Sequence, residues 1–408
     1  MRYNKNTLIQ EFKVKAKPFQ FAAIDEAIRT AQFVQNKALR YWMDNALVNK
    51  FDLNKLCAVL AKEFSFAGEL NSMARQASAE RAWSAISRFY DNCKKRIKPV
   101  GYPKFKKFAR SVEYKTSGWK LTGTKRIVFT DKKGIGQLKL VGTHDLGYYP
   151  VELIKRVRLI RRADGYYCQF CIQVNRREPL EATGRTVGLD VGLESFYTDS
   201  NGRKENNPRF YRKSQAKRRT LQRRLARTKK GSNNRKKAIN TLARLDLKTS
   251  RQRKDHVVKL ARCVVQSNDL VAYEDLRIKN MVRNHNLAKS ITDAGWYQFR
   301  QWLERYGQVF GRVTVAVNPA YTSQECFSCG QIVKKSLSTR THACACGTQL
   351  DRDENAALNI LRAGLVAVGH TGTSLHDRGN ASGEMTATYL GFSSGGQVTS
   401  QKEESPLP

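Results

Sequence analysis

Hydrophobic and polar positions follow two different periods in the first hundred residues. The stretch NTLIQEFKVKAK alternates apolar and polar side chains, which predicts a short strand, and the spacing becomes helical after Pro18. One helical stripe consists of Ile24, Ala27, Ile28, Ala31, Val34 and Ala38. A second stripe consists of Ala79, Ala82, Trp83, Ile86, Phe89, Tyr90 and Cys93. The pattern predicts an N-terminal strand within residues 1–17 and a small helical domain over residues 18–96.

The following region loses the helical period. Proline and glycine interrupt it in KKRIKPVGYPKFKK, which also clusters cations around Tyr102 and Phe105. Short alternating runs follow in RIVFT, QLKLV and VRLIRRADGYYCQFCIQV, and the last of them predicts a hairpin around residues 163–165. We expect a β-rich domain over residues 97–182, assembled with the N-terminal strand.

A second series of elements begins near residue 183. One apolar strand carries Asp190 in TVGLDVG, a second leads into a turn at Asn201 and Gly202, and LVAYEDL and RVTVAVNP are further strands. WYQFRQWLERYGQVF predicts an aromatic-faced helix, and ENAALNILRAGLVAVG predicts a helix after a cysteine-rich segment. Residues 369–408 are rich in Gly, Ser and Thr without clear periodicity, so we expect a disordered tail.

Positive charge dominates the composition. The chain has 74 Lys and Arg against 35 Asp and Glu, a formal net charge of +39. Residues 213–265 are helical in pattern and especially basic, with sparse apolar positions at Leu221, Leu225, Ile239, Leu242 and Val258. A polyanion usually offsets such self-repulsion, and no apolar stretch of membrane length favours a membrane surface instead. We therefore expect a nucleic-acid partner, although residues 213–265 alone are also compatible with a solvated charged helix.

Cysteine spacing predicts a metal site. The N-terminal sequence lacks an apolar run of signal-peptide length, so we expect a cytosolic or nuclear location, where nine cysteines favour metal ligands and buried thiols over disulfides. Cys326 and Cys329 form a C-x-x-C pair, and Cys344 and Cys346 form a tighter C-x-C pair. Four thiolates suit a structural, tetrahedral Zn²⁺ site, for which His342 is an alternative ligand.

A second C-x-x-C pair lies in a different context. Cys168 and Cys171 occur within an alternating strand. Residues three apart on a strand point to opposite faces of the sheet. We therefore predict that these two thiols are ordinary strand residues and do not share an ion.

Three acidic residues lie at positions that suggest burial. Asp190 is in the middle of an apolar strand, and Glu274 is at the end of the strand in LVAYEDL. Asp351 can cap the last helix with Glu354 as its reciprocal partner, and Asp353 then faces the sheet. Each acid alone is compatible with a cap, an ion pair or a solvated strand end. Converging carboxylates instead bind paired Mg²⁺ or Mn²⁺ for hydrolysis of a phosphodiester, and no Ser-His-Asp or Cys-His arrangement indicates a covalent nucleophile.

These motifs occur together in one known family. GLDVG, YEDL, the cysteine ribbon and DRDENAALNI resemble the transposon-encoded TnpB (OrfB) proteins, which are relatives of the compact type V CRISPR effector nucleases. IDEAIRTAQFVQNKALRYW and GYPKFKK also resemble that family's helix-turn-helix and the basic segment after it. The resemblance covers residues 5–366. The C-x-C pair departs from the commoner C-x-x-C form.

The resemblance implies a multidomain α/β fold. Residues 1–17 and 97–182 would form a β-rich wedge domain, and residues 18–96 a helical recognition domain. A RuvC-like nuclease domain of RNase H fold would occupy residues 183–320 and 348–368. A zinc ribbon would be inserted between these two parts, over residues 321–347.

The resemblance also implies site residues. The catalytic acids, which would bind Mg²⁺ or Mn²⁺, are Asp190, Glu274 and Asp353. The zinc ligands are Cys326, Cys329, Cys344 and Cys346. The expected nucleic-acid-binding cations are Lys104, Lys106, Lys107, Lys217, Arg218, Arg219, Arg223, Arg224, Lys236, Lys237, Arg251 and Arg253. Aromatic residues among the cations, namely Tyr102, Phe105, Tyr114 and Trp119, either stack on bases or belong to the sheet core.

An RNA-guided mechanism is the function that the family implies. A guide RNA made from the transposon end would pair with double-stranded DNA beside a short motif, and one nuclease centre would cut both strands. We expect a monomer on one RNA in the prokaryotic cytosol, without a small-molecule substrate or a membrane. Two alternatives remain: a transposase that joins DNA strands with the same acids, and a zinc-containing regulator that binds nucleic acid without cleavage. The presence of all three acids argues against the regulator, and the resemblance favours cleavage over strand joining.

Overall fold

The computed structural model describes residues 7–336 and 339–369, so the tail predicted to be disordered lies outside the described residues from residue 370 onward. The chain divides into two compact units. The first consists of residues 1–178 and 209–255, and the second of residues 179–208 and 256–408. Among the described residues, no helix combines the length and the apolar character needed to cross a bilayer.

Strands of the first unit form one antiparallel sheet. Its described strands are β1 (Thr7–Lys15), β2 (Ser111–Lys115), β3 (Trp119–Leu121), β4 (Arg126–Phe129), β5 (Gln137–Val141), β6 (Ile154–Arg162) and β7 (Gly165–Gln173). Their spatial order is β2-β6-β7-β1-β5-β4-β3. The N-terminal strand β1 thus lies between β7 and β5, and the predicted assembly with the β-rich region is confirmed. The predicted hairpin is also confirmed, because Arg162 pairs with Gly165 across the β6–β7 turn.

Helices of the first unit pack on this sheet and on one another. They include α1 (Pro18–Asp44), α2 (Lys50–Glu63), α3 (Ser65–Gly68) and α4 (Ser72–Lys94). All six residues of the predicted α1 stripe are buried. In the predicted α4 stripe Ala79, Ala82 and Ile86 are buried, but the inclusion of Tyr90 and Cys93 was wrong. Both are exposed, although the Tyr90 hydroxyl accepts a hydrogen bond from Trp42 of α1 at 2.9 Å.

The basic segment is two helices, α5 (Phe210–Ala226) and α6 (Asn233–Ser267), where the sequence pattern suggested one region. Gly231 has a positive φ of 82° in the connection between them, a conformation that favours glycine over other residues. Residues 209–255 belong to the first unit, and the remainder of α6 belongs to the second.

The second unit contains a mixed sheet and a small hairpin. Its described strands are β8 (Thr186–Val191), β9 (Ser195–Asp199), β10 (Lys204–Asn206), β11 (Leu270–Glu274), β12 (Val313–Val317), β13 (Thr341–Ala343) and β14 (Gln349–Asp351). Its helices are the C-terminal part of α6, α7 (Ile278–Met281), α8 (His285–Ala294), α9 (Trp296–Phe310) and α10 (Arg352–Ala367). The sheet order is β10-β9-β8-β11-β12. Strands β8, β11 and β12 are parallel to one another, and β9 is antiparallel to both of its neighbours, β8 and β10. Strands β13 and β14 form a separate antiparallel hairpin.

Helices cover both faces of the five-stranded sheet. On β11, Val271 and Tyr273 pack into the core with α6, α8 and α9, while Leu270 and Ala272 pack against α10. This alternation follows from the two-residue period of a strand. The second unit is therefore a three-layer α/β structure, and the α/β class predicted from the sequence is confirmed.

Helix α10 lies close to the sheet because its contacts with β8 and β11 include two glycines, Gly188 on β8 and Gly364 on α10 itself. A Cβ atom on Gly188 of β8 would lie 2.1 Å from the Ala357 carbonyl oxygen of α10. A Cβ atom on Gly364 of α10 would lie 2.5 Å from the Cβ of Ala272 on β11. Any larger side chain would push α10 away from the strands, so these two contacts fix the height of the helix above β8 and β11.

Candidate functional site

Two of the predicted acids lie side by side on the sheet face that α10 covers. Strands β8 and β11 are parallel neighbours, with Gly188 opposite Ala272 and Leu189 opposite Tyr273. Asp190 is two residues after Gly188, and Glu274 is two residues after Ala272, so both acids continue the face that packs on α10. The strand register thus brings together two carboxylates that are more than eighty residues apart in sequence.

The third acid comes from the start of α10. Asp351 caps this helix, since its side chain accepts hydrogen bonds from the N–H groups of Asp353 and Glu354 at 3.0 and 3.3 Å. The cap by Asp351 is therefore confirmed, and the reciprocal role of Glu354 stays a prediction. The Glu354 carboxylate lies beside Gly202. Asp353 is in the first helical turn and is half-buried, close enough to Asp190 for the two charges to interact.

Burial and mutual repulsion govern the ionisation of this acidic site. The pKa of Asp190 is raised well above its ordinary value, first by burial and then by the negative charges of Glu274 and Asp353. Burial also raises the pKa of Glu274, although a hydrogen bond from Thr322 acts in the opposite direction. A divalent cation bound among the three carboxylates would favour the charged state of all of them.

Two arginines, which the sequence reasoning missed, contact Asp353. Arg352 Nη2 lies 2.9 Å from Asp353 Oδ1, and Arg340 Nη1 lies 3.6 Å from Asp353 Oδ2. Arg340 also pairs with Glu194 at 2.5 Å. Arg352 lies between two aspartates in the DRD motif, and this position in the sequence could have indicated an ion pair. Arg340 comes from the segment before β13, and no sequence spacing connects it with the acids.

A network of buried amides joins the cysteine ribbon to α10 and to Glu274. Thr322 Oγ1 donates to Glu274 Oε1 at 2.7 Å. The buried Asn359 of α10 donates to the carbonyls of Thr322 and Glu325 at 2.9 and 2.7 Å. The buried Asn355 donates to the Glu325 carbonyl at 2.8 Å and accepts from the ribbon backbone at 3.0 Å. The ribbon is therefore fixed to the helix that carries Asp353, and Thr322 extends from it to a second acid.

The four predicted cysteines form one cluster. The sulfur atoms of Cys326, Cys329, Cys344 and Cys346 all lie within 4.8 Å of one another, so this cluster could hold a metal ion. Within residues 7–336 and 339–369 it is the one group of three or more His, Cys, Asp or Glu ligand atoms spaced so closely.

The thiols of this cluster ionise as a set. Hydrogen bonds from Thr348 lower the pKa of Cys346 to about 6. The pKa of Cys329 rises to about 12 despite a hydrogen bond from the Gln331 N–H, because the neighbouring thiols Cys344 and Cys346 compete for the same protons. Such a group of sulfurs is stabilised by a cation that replaces the protons.

Other sulfur and imidazole predictions have clear outcomes. His342 is buried and hydrogen-bonds through Nδ1 to Lys335, and it is not a member of the cysteine cluster. Cys168 is buried in the core of the first unit, whereas Cys171 on the other face of β7 is partly exposed. The prediction that these two cysteines point to opposite faces is confirmed.

All the predicted nucleic-acid-binding cations lie in the first unit, and most are exposed. The exposed ones are Lys104, Lys106, Lys107, Lys217, Arg219, Arg223, Arg224, Lys236, Lys237 and Arg251. Arg218 and Arg253 are half-buried; Arg218 pairs with Asp246, and Arg251 pairs with Asp164 at 2.5 Å.

The aromatic residues among the cations divide into two groups. Tyr114 and Trp119 are buried in the sheet core, so base stacking is wrong for these two. Tyr102 and Phe105 are about half exposed.

Two family models and several known proteins are similar to this chain. The family OrfB_IS605, described as "Probable transposase", matches residues 169–285, and the family "Cas12f1-like, TNB domain" matches residues 296–360. A protein of Streptomyces pristinaespiralis named "Putative RNA-guided DNA endonuclease" is 33% identical over 320 residues, which is 75% of each chain. "Putative RNA-guided DNA endonuclease InsQ" of Escherichia coli (strain K12) is 29% identical over 286 residues, which cover 65% of this chain and 69% of that protein.

A solved structure shares the fold. The protein in "Cryo-EM structure of the Cas12f1-sgRNA-target DNA complex" matches with a TM-score of 0.53 at 15% identity, covering 84% of this chain and 82% of that chain. The chain is thus an α/β protein whose fold resembles that of Cas12f1 and whose second unit carries a cysteine cluster and an acidic site. On the sequence similarity to its relatives, the chain belongs to the TnpB (OrfB) family.

Proposed function

We propose that this protein is the RNA-guided DNA endonuclease of a transposable element. The observation that carries the proposal is the convergence of Asp190, Glu274 and Asp353, from two parallel strands and a helix start, in a chain of net charge +39. Family membership supports it, since the relatives from Streptomyces pristinaespiralis and Escherichia coli carry that description in their names. In this proposal the second unit is a RuvC-like nuclease core with an inserted zinc ribbon.

The donor sets fit the two kinds of metal that the family implies. Three partly buried carboxylates offer oxygen ligands, which suit Mg²⁺ or Mn²⁺. Burial and then the charges of Glu274 and Asp353 raise the pKa of Asp190, and divalent cations would offset both effects. Four clustered sulfurs suit a structural Zn²⁺ ion and leave no position for water. When bound at the acids, divalent metal supplies an activated water and neutralises charge on the leaving oxygen of a phosphodiester.

The protein's own residues hold this site ready for the reaction. Glu274 is oriented by Thr322, and Asp353 is oriented by the Asp351 cap and by Arg352. Asp190 stands between them on a rigid strand, and Gly188 lets α10 approach closely enough for Asp353 to reach it. Geometry of this kind is set before the substrate arrives, so little reorganisation accompanies the reaction.

The first unit is proposed to hold the guide RNA and its duplex with the target DNA. Exposed cations of the loop over residues 104–107, of α5 and of the N-terminal half of α6 would contact phosphates without reading sequence. Base pairing would read the target sequence, and the protein would read duplex shape and a short motif. We propose a monomer on one RNA, acting in the prokaryotic cytosol.

The decisive experiment is purification of the protein with RNA from cells that carry its flanking DNA. One discrete RNA whose 3′ end matches sequence outside the element is the expected result, and target DNA matching that end should be cut in the presence of Mg²⁺. Asp190→Ala should retain the RNA and lose cleavage. A random mixture of RNAs, with activity confined to transposon-end DNA, would favour a transposase, and guided binding without any cleavage would favour a regulator.

A further inference from the structure

A cationic and aromatic pocket lies on an exposed face of α1 in the first unit. Its volume is about 520 Å³. The residues that line it are Arg29, Gln32, Phe33, Asn36, Lys37, Arg40 and Phe105. This lining contains three cations and two aromatic rings but no carboxylate, a combination that matches an anion with a flat aromatic part.

Two side-chain amides of α1 hold the outer wall of this pocket, the loop of residues 104–108. Gln32 Nε2 donates to the carbonyls of Lys106 and Lys107 at 2.9 and 3.0 Å. Asn36 pairs with Lys106 in both directions, through Oδ1 at 2.8 Å and through Nδ2 at 3.0 Å. On the loop side these bonds involve only backbone atoms. They hold the loop in place, and the ring of Phe105 remains available to contact a ligand.

Aromatic rings also position the cations at the rim. Phe33 packs edge-on against Phe64 at a centroid distance of 5.0 Å, and Lys37 Nζ lies 5.7 and 5.1 Å from the two ring centroids. This cation–π contact keeps the ammonium group beside the pocket. Arg29 and Arg40 pair with acids on their own helix, but exposed pairs of this kind are weak and yield readily to a phosphate.

We propose that this pocket binds one unpaired nucleotide of the guide RNA, with its base against Phe105 and its phosphates near Lys37 and Arg40. The proposal rests on the RNA-guided function proposed above. RNA-binding proteins take bases that are splayed out of single-stranded loops and stack them on aromatic or guanidinium planes. The target strand is paired with its complementary DNA strand before it meets the guide and with the guide RNA afterwards. Loops of the RNA therefore present unpaired bases for longer than the target strand does.

The test compares two phenylalanines of the same loop in the full-length protein. Phe105 lines the pocket and is 45% exposed, whereas Phe108 lies outside the lining and is 83% exposed. The affinity of each variant for the RNA that co-purifies with the wild type is measured by filter binding, without target DNA, and photo-crosslinking maps the nucleotide that contacts residue 105. Thermal unfolding verifies that each variant is folded.

We expect Phe105→Ala to weaken RNA binding roughly 5- to 150-fold, the range for loss of one base–aromatic stack. Phe105→Tyr should retain the affinity and the crosslink, and Phe108→Ala should bind like the wild type. The proposal is overturned if Phe105→Ala binds RNA normally, or if Phe108→Ala loses as much affinity. In the first of these cases, a weakened hold of the Phe105→Ala RNA complex on target DNA would identify the occupant of the pocket as displaced DNA. If the wild type carries no discrete RNA, the proposed function itself fails.

Discussion

Thr322→Val isolates the link between the cysteine ribbon and the acidic site. Thr322 Oγ1 donates to Glu274 Oε1 at 2.7 Å, and the Thr322 carbonyl accepts from Asn359 of α10 at 2.9 Å. Valine has nearly the same shape as threonine and keeps the carbonyl that binds Asn359. The substitution therefore removes the hydrogen bond to the carboxylate, together with a longer contact from the hydroxyl to the Pro319 carbonyl at 3.3 Å, and leaves the bond from Asn359 in place.

The expected loss follows from the charge of the acceptor. A hydrogen bond to a charged group is worth about 1.5–3 kcal/mol. Burial raises the pKa of Glu274, and the Thr322 hydroxyl opposes that rise by favouring the ionised carboxylate. Without the hydroxyl, Glu274 binds a proton at higher pH and holds a divalent cation less well. If the whole bond energy serves the reacting geometry, the cleavage step slows about 10- to 150-fold.

Single-turnover cleavage of a matched DNA target by the protein–RNA complex measures this effect. Thr322→Ser keeps the hydroxyl and should restore most of the rate. Thr220→Val, on the exposed surface of α5, removes a hydroxyl that bonds only its own helix and should leave the rate unchanged. A Thr322→Val protein that cleaves as fast as the wild type, with the same Mg²⁺ dependence, would refute the positioning of Glu274 by the ribbon.

Three further outcomes are expected from the charges and thiols. Asp190→Asn should raise the Tm at neutral pH without divalent cations, by about 2–4 °C for each kcal/mol of relieved repulsion. The pKa of Asp190 is raised in the folded state, so wild-type stability falls as pH rises through that pKa, and the gain should vanish in acid. Cys344→Ser should lose bound zinc by elemental analysis and lower the Tm, whereas Cys93→Ser, exposed and outside the cluster, should do neither. Glu113→Gln should reduce the free energy of unfolding by about 1–3 kcal/mol in denaturant titrations, because it removes the charged acceptor shared by the partly buried Arg81, Arg156 and Arg158. Burial raises the pKa of Glu113, but the three arginines, Arg158 first among them, together outweigh burial, and the pKa falls from its ordinary value of 4.5 to about 2. The stabilisation that ionised Glu113 provides is therefore complete above pH 4.5 and is lost as the pH falls toward 2. Equal acid sensitivity of the wild type and Glu113→Gln would contradict that assignment.

Regular hydrophobic periods predicted the elements that have wide apolar faces. The α1 stripe and the strand β11 were found from the sequence because their buried positions repeat without interruption. Helix α2 was missed because only Leu53, Cys57 and Leu60 are buried along its length, a stripe too narrow to stand out. Local patterns therefore identified the core but not the helices that lie at its margin.

In the acidic site, too, the sequence predicted the residues with a local signal and missed those placed by long-range contacts. Asp190 and Glu274 were visible as polar residues in apolar strands, and Asp353 as a residue beside a helix cap. Thr322 and Arg340 were not visible, because their contacts depend on how the ribbon folds back onto α10. Sequence spacing also left Tyr114 and Tyr102 equivalent, whereas burial separates a core residue from an exposed one.

The order of the acids along the chain has a consequence for synthesis. Strand β8 with Asp190 leaves the ribosome roughly 160 residues before α10 with Asp353, which at about 5–20 residues per second is about 8–30 s. Throughout that interval β8 lacks the helix that packs on Gly188, and the acidic site lacks its third member. A nascent or prematurely terminated chain would thus carry the exposed cations of α5 and α6 while its acidic site is still incomplete.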